Sequence, residues 1–254
     1  MGKPLARWML SLPTFPPLWR LLPAFLLPLL VFPPLPFMAA ARAADVPRFR
    51  ITIPSGVAHH DPGGTVRFIG TATALVRVRG LAVLIDPGMD DAMLPPALAQ
   101  ADLVVLSQPA WHGTAFPALG TRPIVAMAGT AERLRGMGYR SVYPLDTWES
   151  ITIRKGDTRL RLTSMPDAHG MRPAAMAVML NFGPSCRVLV DSGELTPAEI
   201  GLIPQRFPGA RLALLRQAGT PLLLLAVAQD GRAATLEHPV ARGEPYRFGA
   251  PDCR

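Results

Sequence analysis

The chain has 254 residues, of which 49% are hydrophobic and 17% are charged. This composition excludes an intrinsically disordered chain and is enough to build a sizeable core. The formal net charge is +8, and the four basic residues among positions 1–43 stand without any acidic one, which leaves +4 for the remainder. That remainder spreads its basic residues without a long run, so we expect no nucleic-acid partner.

The amino terminus has the three parts of a secretory signal peptide. Lys3 and Arg7 give a positive start, an apolar stretch covers residues 21–38, and Ala41-Arg42-Ala43 offers small residues for a signal peptidase. We therefore predict a signal peptide over residues 1–43 and an exported protein, periplasmic or secreted. The alternatives are an uncleaved anchor, as the only contact with a membrane, and a start codon assigned too early. Five prolines in the apolar stretch count against a spanning helix.

Residues 44–64 are predicted to be a linker, because prolines and glycines punctuate them. Three runs follow in quick succession, at residues 65–70, 72–79 and 81–85. The first two alternate apolar and polar residues, which is the period of a half-buried strand, and the third is a short apolar run. Together they predict an antiparallel meander with short turns.

Helices and strands then alternate along the chain. The apolar runs at residues 103–106 and 124–127 are typical of strands covered on both faces. Gly156-Asp157 predicts a hairpin turn, and Thr196-Pro197 is a typical helix start. The other predicted elements are helices at residues 91–100, 130–137 and 196–203, and strands at residues 150–153, 158–164, 176–181, 187–190, 212–215 and 222–227. This order fits a sandwich of two sheets with helices outside.

A series of short motifs resembles the metallo-β-lactamase superfamily, and most closely its branch of ascorbate-phosphate lactonase-like metal-dependent hydrolases. The motifs are, in chain order, residues 66–73, 84–87, 102–107, 138–140 with 148–150, 166–170, 188–193 and 213–220. The resemblance implies an α/β fold, a four-layer αββα sandwich of two mixed β-sheets flanked by helices, over residues 65–232. Residues 233–254 form an atypical carboxyl-terminal tail that fits the family poorly.

The same resemblance implies metal-dependent hydrolysis. In the family, a His-x-His-x-Asp-His motif, a later histidine and a bridging aspartate bind zinc, which lowers the pKa of a bound water to about 7. After Ser107 this chain has Gln108, Ala110, His112 and Gly113 at the four motif positions. Alanine and glycine have no side chain that binds a metal, so a two-metal site is not expected.

The later positions of the family pattern are kept. His169 stands at the position of the third histidine, and Asp191 at that of the bridging carboxylate. The resemblance therefore implies at most one zinc ion, held by His112, His169 and Asp191, with Asp191 and His112 as the catalytic residues. Gln108 and His238 are weak additional candidates for metal ligands.

Two functions remain open from the sequence. The first is a single-metal hydrolase acting on an ester, lactone, phosphoester or amide of an unidentified small molecule. The second is a catalytically inactive exported relative that binds a ligand or a protein, since a fold does not imply a function. Without the resemblance, His169 is an ordinary loop residue and Asp191 caps a turn.

Three further positions complete the sequence-based expectations. Asp86 resembles a family residue that holds the loop below the site, because such outer groups orient ligands. Cys186 and Cys253 either form a disulfide, as an exported protein allows, or both stay free. The sequence indicates neither the substrate nor the oligomeric state.

Overall fold

The computed structural model describes residues 46–55, 63–70, 73–88, 94–109, 119–166, 175–184, 186–217, 220–225, 235–236 and 243–248. Residues outside these ranges include the predicted signal peptide and four side chains singled out above, His112, His169, His238 and Cys253. Among the residues that the structure describes, no helix has the length and apolar character needed to span a bilayer.

The described residues contain fifteen strands and three helices. The strands are β1 Phe49–Ile53, β2 Gly64–Phe68, β3 Ala74–Val78, β4 Leu81–Ile85, β5 Leu103–Leu106, β6 Ile124–Met127, β7 Val142–Leu145, β8 Ser150–Lys155, β9 Thr158–Pro166, β10 Met176–Gly183, β11 Cys186–Glu194, β12 Leu212–Gln217, β13 Thr220–Leu225, β14 Thr235–Leu236 and β15 Pro245–Phe248. The helices are α1 Leu94–Gln100, α2 Ala128–Gly136 and α3 Pro197–Arg206. Helix α3 starts as predicted, with Thr196 and Glu199 forming a reciprocal capping box.

The strands form two mixed sheets. The seven-stranded sheet has the order β15-β2-β3-β4-β5-β6-β7, antiparallel up to β4 and parallel from β4 to β7. The eight-stranded sheet has the order β1-β8-β9-β10-β11-β12-β13-β14, with parallel pairs at β1–β8 and β11–β12. The predicted meander of β2, β3 and β4 is therefore confirmed.

Three hydrophobic clusters define the layers. The central core lies between the two sheets and includes Val83 of β4, while its neighbour Leu84 points to the opposite face. That second face packs against α1 and α2, the latter through Leu134. A third cluster joins the eight-stranded sheet to α3 through Leu189 and Ile203. Helix, sheet, sheet and helix stack in this order, so the predicted αββα sandwich is confirmed.

Strand β1 lies within the segment that was predicted to be a linker. Phe49, Ile51 and Ile53 alternate with polar residues, and Ile51 is 6% exposed in the central core. The Phe49 ring packs edge-on against Tyr143 of β7, with 5.6 Å between ring centroids. Residues 49–53 are thus part of the sandwich, because their two-residue period allows them to pair with β8.

The predicted tail also contributes to the fold. Strand β15 pairs antiparallel with β2, and Phe248 is 8% exposed in the central core. Residues 245–248, which lie after residue 232, therefore belong to the seven-stranded sheet. The pairing joins positions about 180 residues apart, which a local pattern cannot reveal.

Cys186 is 1% exposed and disulfide-bonded in the structure. Of the two interpretations of the cysteines, this observation supports the disulfide. The chain has two cysteines, and the other one, Cys253, lies outside the described residues.

Gly64 provides a sharp test of this packing. A Cβ atom at Gly64 would lie 2.1 Å from the Cζ of Phe248, so we expect Gly64→Ala to lower the free energy of unfolding by about 1–3 kcal/mol through overpacking. The matched control is Gly201→Ala in α3, where a Cβ atom would have no described atom within 4 Å apart from its chain neighbours and the helix's own backbone, and alanine should stabilise the helix by up to about 1 kcal/mol. Urea unfolding measures both, and equal stability of Gly64→Ala and wild type would contradict the packing.

Candidate functional site

One edge of the sandwich gathers the segments that follow its strands. Because β4 to β7 are parallel, their carboxyl ends meet there. The amino end of β10 and the carboxyl end of β11 reach the same edge, since the amide of Met176 donates to the carbonyl of Ser107 at 2.9 Å. We call this edge the rim and define it by residues 86–88, 107–109 and 191–194. Loops at strand ends are where a rigid sheet presents functional side chains.

Asp86 is at the centre of the hydrogen bonds at the rim. Its carboxylate accepts hydrogen bonds from the amide of Ser107 at 2.6 Å and from the Ser107 hydroxyl. Its carbonyl accepts from the Thr73 hydroxyl at 2.7 Å, and that hydroxyl accepts in turn from the amide of Gly88 at 3.0 Å. Asp86 has a φ of +43°, a left-handed backbone that these bonds hold in place. The expected role of Asp86, holding the loop below the site, agrees with these contacts.

The environment of Asp86 works against its ionisation. Burial raises the pKa of this carboxyl, while hydrogen bonds from the Ser107 hydroxyl and from the backbone amides of Ser107 and Gln108, together with the nearby Ser192 hydroxyl, lower it in part. Burial is the larger effect, so the pKa lies above the ordinary value. The Ser192 hydroxyl belongs to the other sheet, and its Oγ is near the carboxyl without reaching standard hydrogen-bond geometry with any described partner.

Gln108 occupies the first position of the expected metal motif. Its backbone amide donates a hydrogen bond to the Asp86 carboxylate, which fixes the backbone of Gln108. Its side-chain Nε2 is buried and has no hydrogen-bond partner among the described residues. A buried amide of this kind is costly unless another group satisfies it, so Nε2 is available to donate to a ligand at the rim.

Asp191 is at the point where β11 becomes irregular. Asp191 is 1% exposed, and its side-chain Oδ1 accepts a hydrogen bond from the amide of Gly193 at 3.0 Å. The regular pairing of β11 with β12 ends at Val190 and resumes only at Glu194. Glu194 then pairs with Arg216, with 2.7 Å between the charged atoms. A carboxylate on an irregular strand end can turn toward a site, as bulges commonly allow.

The two candidate histidines lie in segments outside the described residues, but the ends of those segments are described. His112 follows Ser107 and Gln108, and His169 lies between Pro166 and Met176. Ser107 lies just before the segment that carries His112, and Met176 lies just after the segment that carries His169. The hydrogen bond from the Met176 amide to the Ser107 carbonyl therefore joins the described ends of the two segments. The structure therefore brings the bases of both segments together at the rim, beside Ser192 and its neighbour Asp191.

The described residues alone do not make a metal centre. Within them, no group of three or more histidine, cysteine, aspartate or glutamate side chains is arranged to hold a metal ion. Of the expected ligands only Asp191 is described, and a buried carboxylate fits a zinc ligand. Two histidines and one carboxylate would be a suitable donor set for one zinc ion, whereas Gln108 offers only a weak amide oxygen.

Sequence reasoning missed three hydroxyl residues around Asp86. Thr73, Ser107 and Ser192 are all at most 5% exposed, and each contacts or approaches Asp86. The available signal was their position, because Ser107 directly follows the buried strand β5 and Ser192 follows the apolar run of β11. Small polar residues directly after buried strands are good candidates for a hydrogen-bonded frame.

Trp148, which belongs to one of the sequence motifs, has an unusual backbone and an exposed side chain. Its amide donates to the carbonyl of Ser164 at 2.8 Å, next to the carboxyl end of β9. Its φ is +71° and its exposure is 59%, an unusual combination for a large aromatic residue. An indole exposed there adds an apolar surface to the edge that carries the polar site.

No family model matches the chain, and no curated protein matches it. Among solved structures, the chain is similar to Igni18, a metallo hydrolase from the archaeon Ignicoccus hospitalis, at 13% identity and a TM-score of 0.47, covering 74% of this chain and 99% of that one. It is also similar to an isothiocyanate hydrolase from Delia radicum gut bacteria, at 13% identity and a TM-score of 0.45, covering 66% and 75%.

A third similar structure is CmlA, a diiron β-hydroxylase from Streptomyces venezuelae. The identity is 17% and the TM-score 0.43, over 59% of this chain. The chain spans about a third of that protein, 34% of its length. Likenesses of this extent carry no argument about activity. The αββα sandwich rests on the sheet order and the three cores, whereas the family, its branch, the substrate and the metal stay predictions.

Proposed function

We propose that the rim is a hydrolase-like site that holds at most one metal ion, with His112, His169 and Asp191 as ligands. The observation that carries this proposal is the hydrogen bond from Met176 to Ser107 at 2.9 Å. It ties together the bases of the two histidine-bearing segments, which are far apart in the sequence. Three protein ligands leave a fourth position for water, the arrangement of a catalytic rather than a structural zinc site.

Asp191 and Asp86 would have different roles at such a site. A bound zinc ion would supply a water of lowered pKa. Asp191, which is buried at the rim, would accept a hydrogen bond from that water and orient it toward an ester, lactone, phosphoester or amide. Asp86 would not act on the substrate, because its carboxylate is occupied by Ser107 and Gln108 and serves to hold the loop.

The alternative is a binding site without hydrolysis. It is favoured by Gln108, whose buried Nε2 lacks a described partner at the position where the family has its first histidine. An amide there suits a ligand with a hydrogen-bond acceptor better than it suits a zinc ion. In this case the rim would hold an oxygen-rich small molecule, and the surviving His169 and Asp191 would serve as polar contacts.

Metal analysis of the purified full chain distinguishes the single-metal hydrolase from the binding site without hydrolysis. We expect about one equivalent of zinc per chain in wild type, from the three-ligand count, and its loss in His169→Ala. His60→Ala is the matched control, since that histidine lies outside every motif and should leave the metal content unchanged. Gln108→His should bind zinc more tightly, because it adds the missing first ligand. Folded protein that stays metal-free in wild type and in Gln108→His would overturn the metal site and support the binding module.

A further inference from the structure

The end of the sandwich opposite the rim carries a separate cavity of about 350 Å³. We call this the far end and define it by the β3–β4 turn at residues 79–80 and the β8–β9 turn at residues 155–158. The cavity is lined by four cationic side chains and one carboxylate, namely Arg77, Arg79, Lys155, Arg247 and Asp102. Gln108 and Asp191, the expected site residues that the structure describes, do not line it, and we treat it as separate from the proposed function at the rim.

The sheet register explains why arginines meet there. Arg247 of β15 is paired with Thr65 of β2, and Thr65 is paired with Arg77 of β3, which makes one row across three strands. The next residue along each of β2 and β3, Val66 and Val76, faces the central core, so this row faces away from it. The two arginines are two strand spacings apart, about 10 Å at the backbone, a distance that two long side chains can close around an anion.

Among the described residues that line the cavity, the cationic side chains outnumber the carboxylates. The one carboxylate, Asp102, already accepts from Lys155 at 2.7 and 2.8 Å and from the amide of Ala82 at 2.9 Å. Arg77 donates through one terminal nitrogen to the neutral amide of Gln100, and its Nε is buried without a hydrogen-bond partner among the described residues. Gln100 neutralises none of the charge on Arg77, so an anionic ligand in the cavity would provide a counter-charge.

We propose that the far-end cavity binds a small phosphate-bearing solute, with Arg77 and Arg247 as its main contacts. The planar guanidinium group donates two parallel hydrogen bonds to phosphate oxygens, which suits an arginine pair better than lysines would. The volume lies at the lower end of the range for small-molecule sites, so it accommodates a phosphate or a small phosphate ester rather than a polymer. The lack of a long basic run in the sequence also disfavours nucleic acid.

The test uses the full chain in the presence of EDTA, so that phosphate cannot be held by a metal at the rim. Inorganic phosphate, pyrophosphate and glycerol 3-phosphate are titrated by calorimetry, and the three probes distinguish a free anion from an ester. We expect saturable binding of at least one probe, weakened about tenfold in Arg77→Gln and in Arg247→Gln, since each removes a charge-assisted hydrogen bond. Arg247 is exposed on an edge strand, so its replacement leaves the core intact.

The matched control is Arg50→Gln on β1, which removes the same charge from an exposed position outside the cavity. We expect it to change the affinity less than twofold, because a distant surface charge is screened. His169→Ala should also bind the probe as wild type does. Absence of saturable binding of all three probes, or equal weakening in Arg50→Gln and Arg247→Gln, would overturn the proposal.

Discussion

Asp86→Ala is expected to lower the free energy of unfolding by about 3–5 kcal/mol, because it leaves several buried donors without an acceptor. The donors are the amide and hydroxyl of Ser107 and the amide of Gln108. Ser107 is fully buried, so water cannot readily replace the lost carboxylate. Urea unfolding of the full chain, followed by circular dichroism, measures the effect. Ser107→Ala should cost clearly less, since the amide of residue 107 keeps its acceptor.

Asp86→Asn is the matched variant, because it keeps the shape and removes the ionisation. Below the ordinary aspartate pKa of about 3.9, both the folded and the unfolded chain carry the proton, and Asp86 adds no pH dependence. Burial raises the pKa in the folded protein, so as the pH rises the unfolded chain releases its proton first. The free energy of unfolding therefore falls with rising pH until the raised pKa is passed, and is then constant.

We expect the free energy of unfolding to change with pH at different slopes in wild type and in Asp86→Asn. In wild type the stability should decrease above about pH 4 by the contribution of Asp86, and in Asp86→Asn that contribution should be absent. The variant should therefore gain stability relative to wild type as the pH rises, whatever its offset at low pH. Parallel profiles for the two proteins would show that Asp86 is not the buried carboxyl described here.

The elements that the sequence predicted well are those with strong local patterns. Strands β4 and β5 are continuous apolar runs, and both are completely buried in the structure. Their positions placed Asp86 and Ser107 at strand ends. Strand β1 has an equally clear alternation, but prolines at positions 47 and 54 favoured a linker and concealed it. Proline at the flanks of a strand is compatible with an edge position, and β1 is an edge strand.

The candidate site was less predictable, because it depends on which strands meet. The motif comparison selected Asp191, but the proximity of its neighbour Ser192 to Asp86 requires β11 of one sheet to face β4 of the other. No local period contains that information. The same holds for the far-end cavity, where Arg77 and Arg247 become neighbours only through the pairing of β15 with β2. Long-range strand pairing is the step that sequence patterns leave undetermined.

Asp102→Ala is expected to lower the free energy of unfolding by about 2–4 kcal/mol, because Asp102 forms an ion pair between the two sheets at the far end. Its carboxylate receives the Lys155 ammonium at 2.7 Å and the amide of Ala82 at 2.9 Å, and the side chains of the pair are only 17% and 20% exposed. Removing the carboxylate leaves a partly buried cation and a backbone amide unpaired, which is the costly way to break an ion pair. Urea unfolding again provides the measurement.

A double-variant cycle with Lys155→Met identifies the cause. If the pair itself stabilises the sandwich, Asp102→Ala with Lys155→Met should lose less than the sum of the two single changes, because the cation left behind by the first change is then absent. The surface comparison is Arg48→Gln, which breaks a pair with Glu149 whose side chains are 38% and 33% exposed and should cost less than about 1 kcal/mol. Strictly additive losses in the cycle would show that Asp102 acts only through the Ala82 amide. The ion pair would then contribute nothing to joining β8 with β5, even though it spans the two sheets.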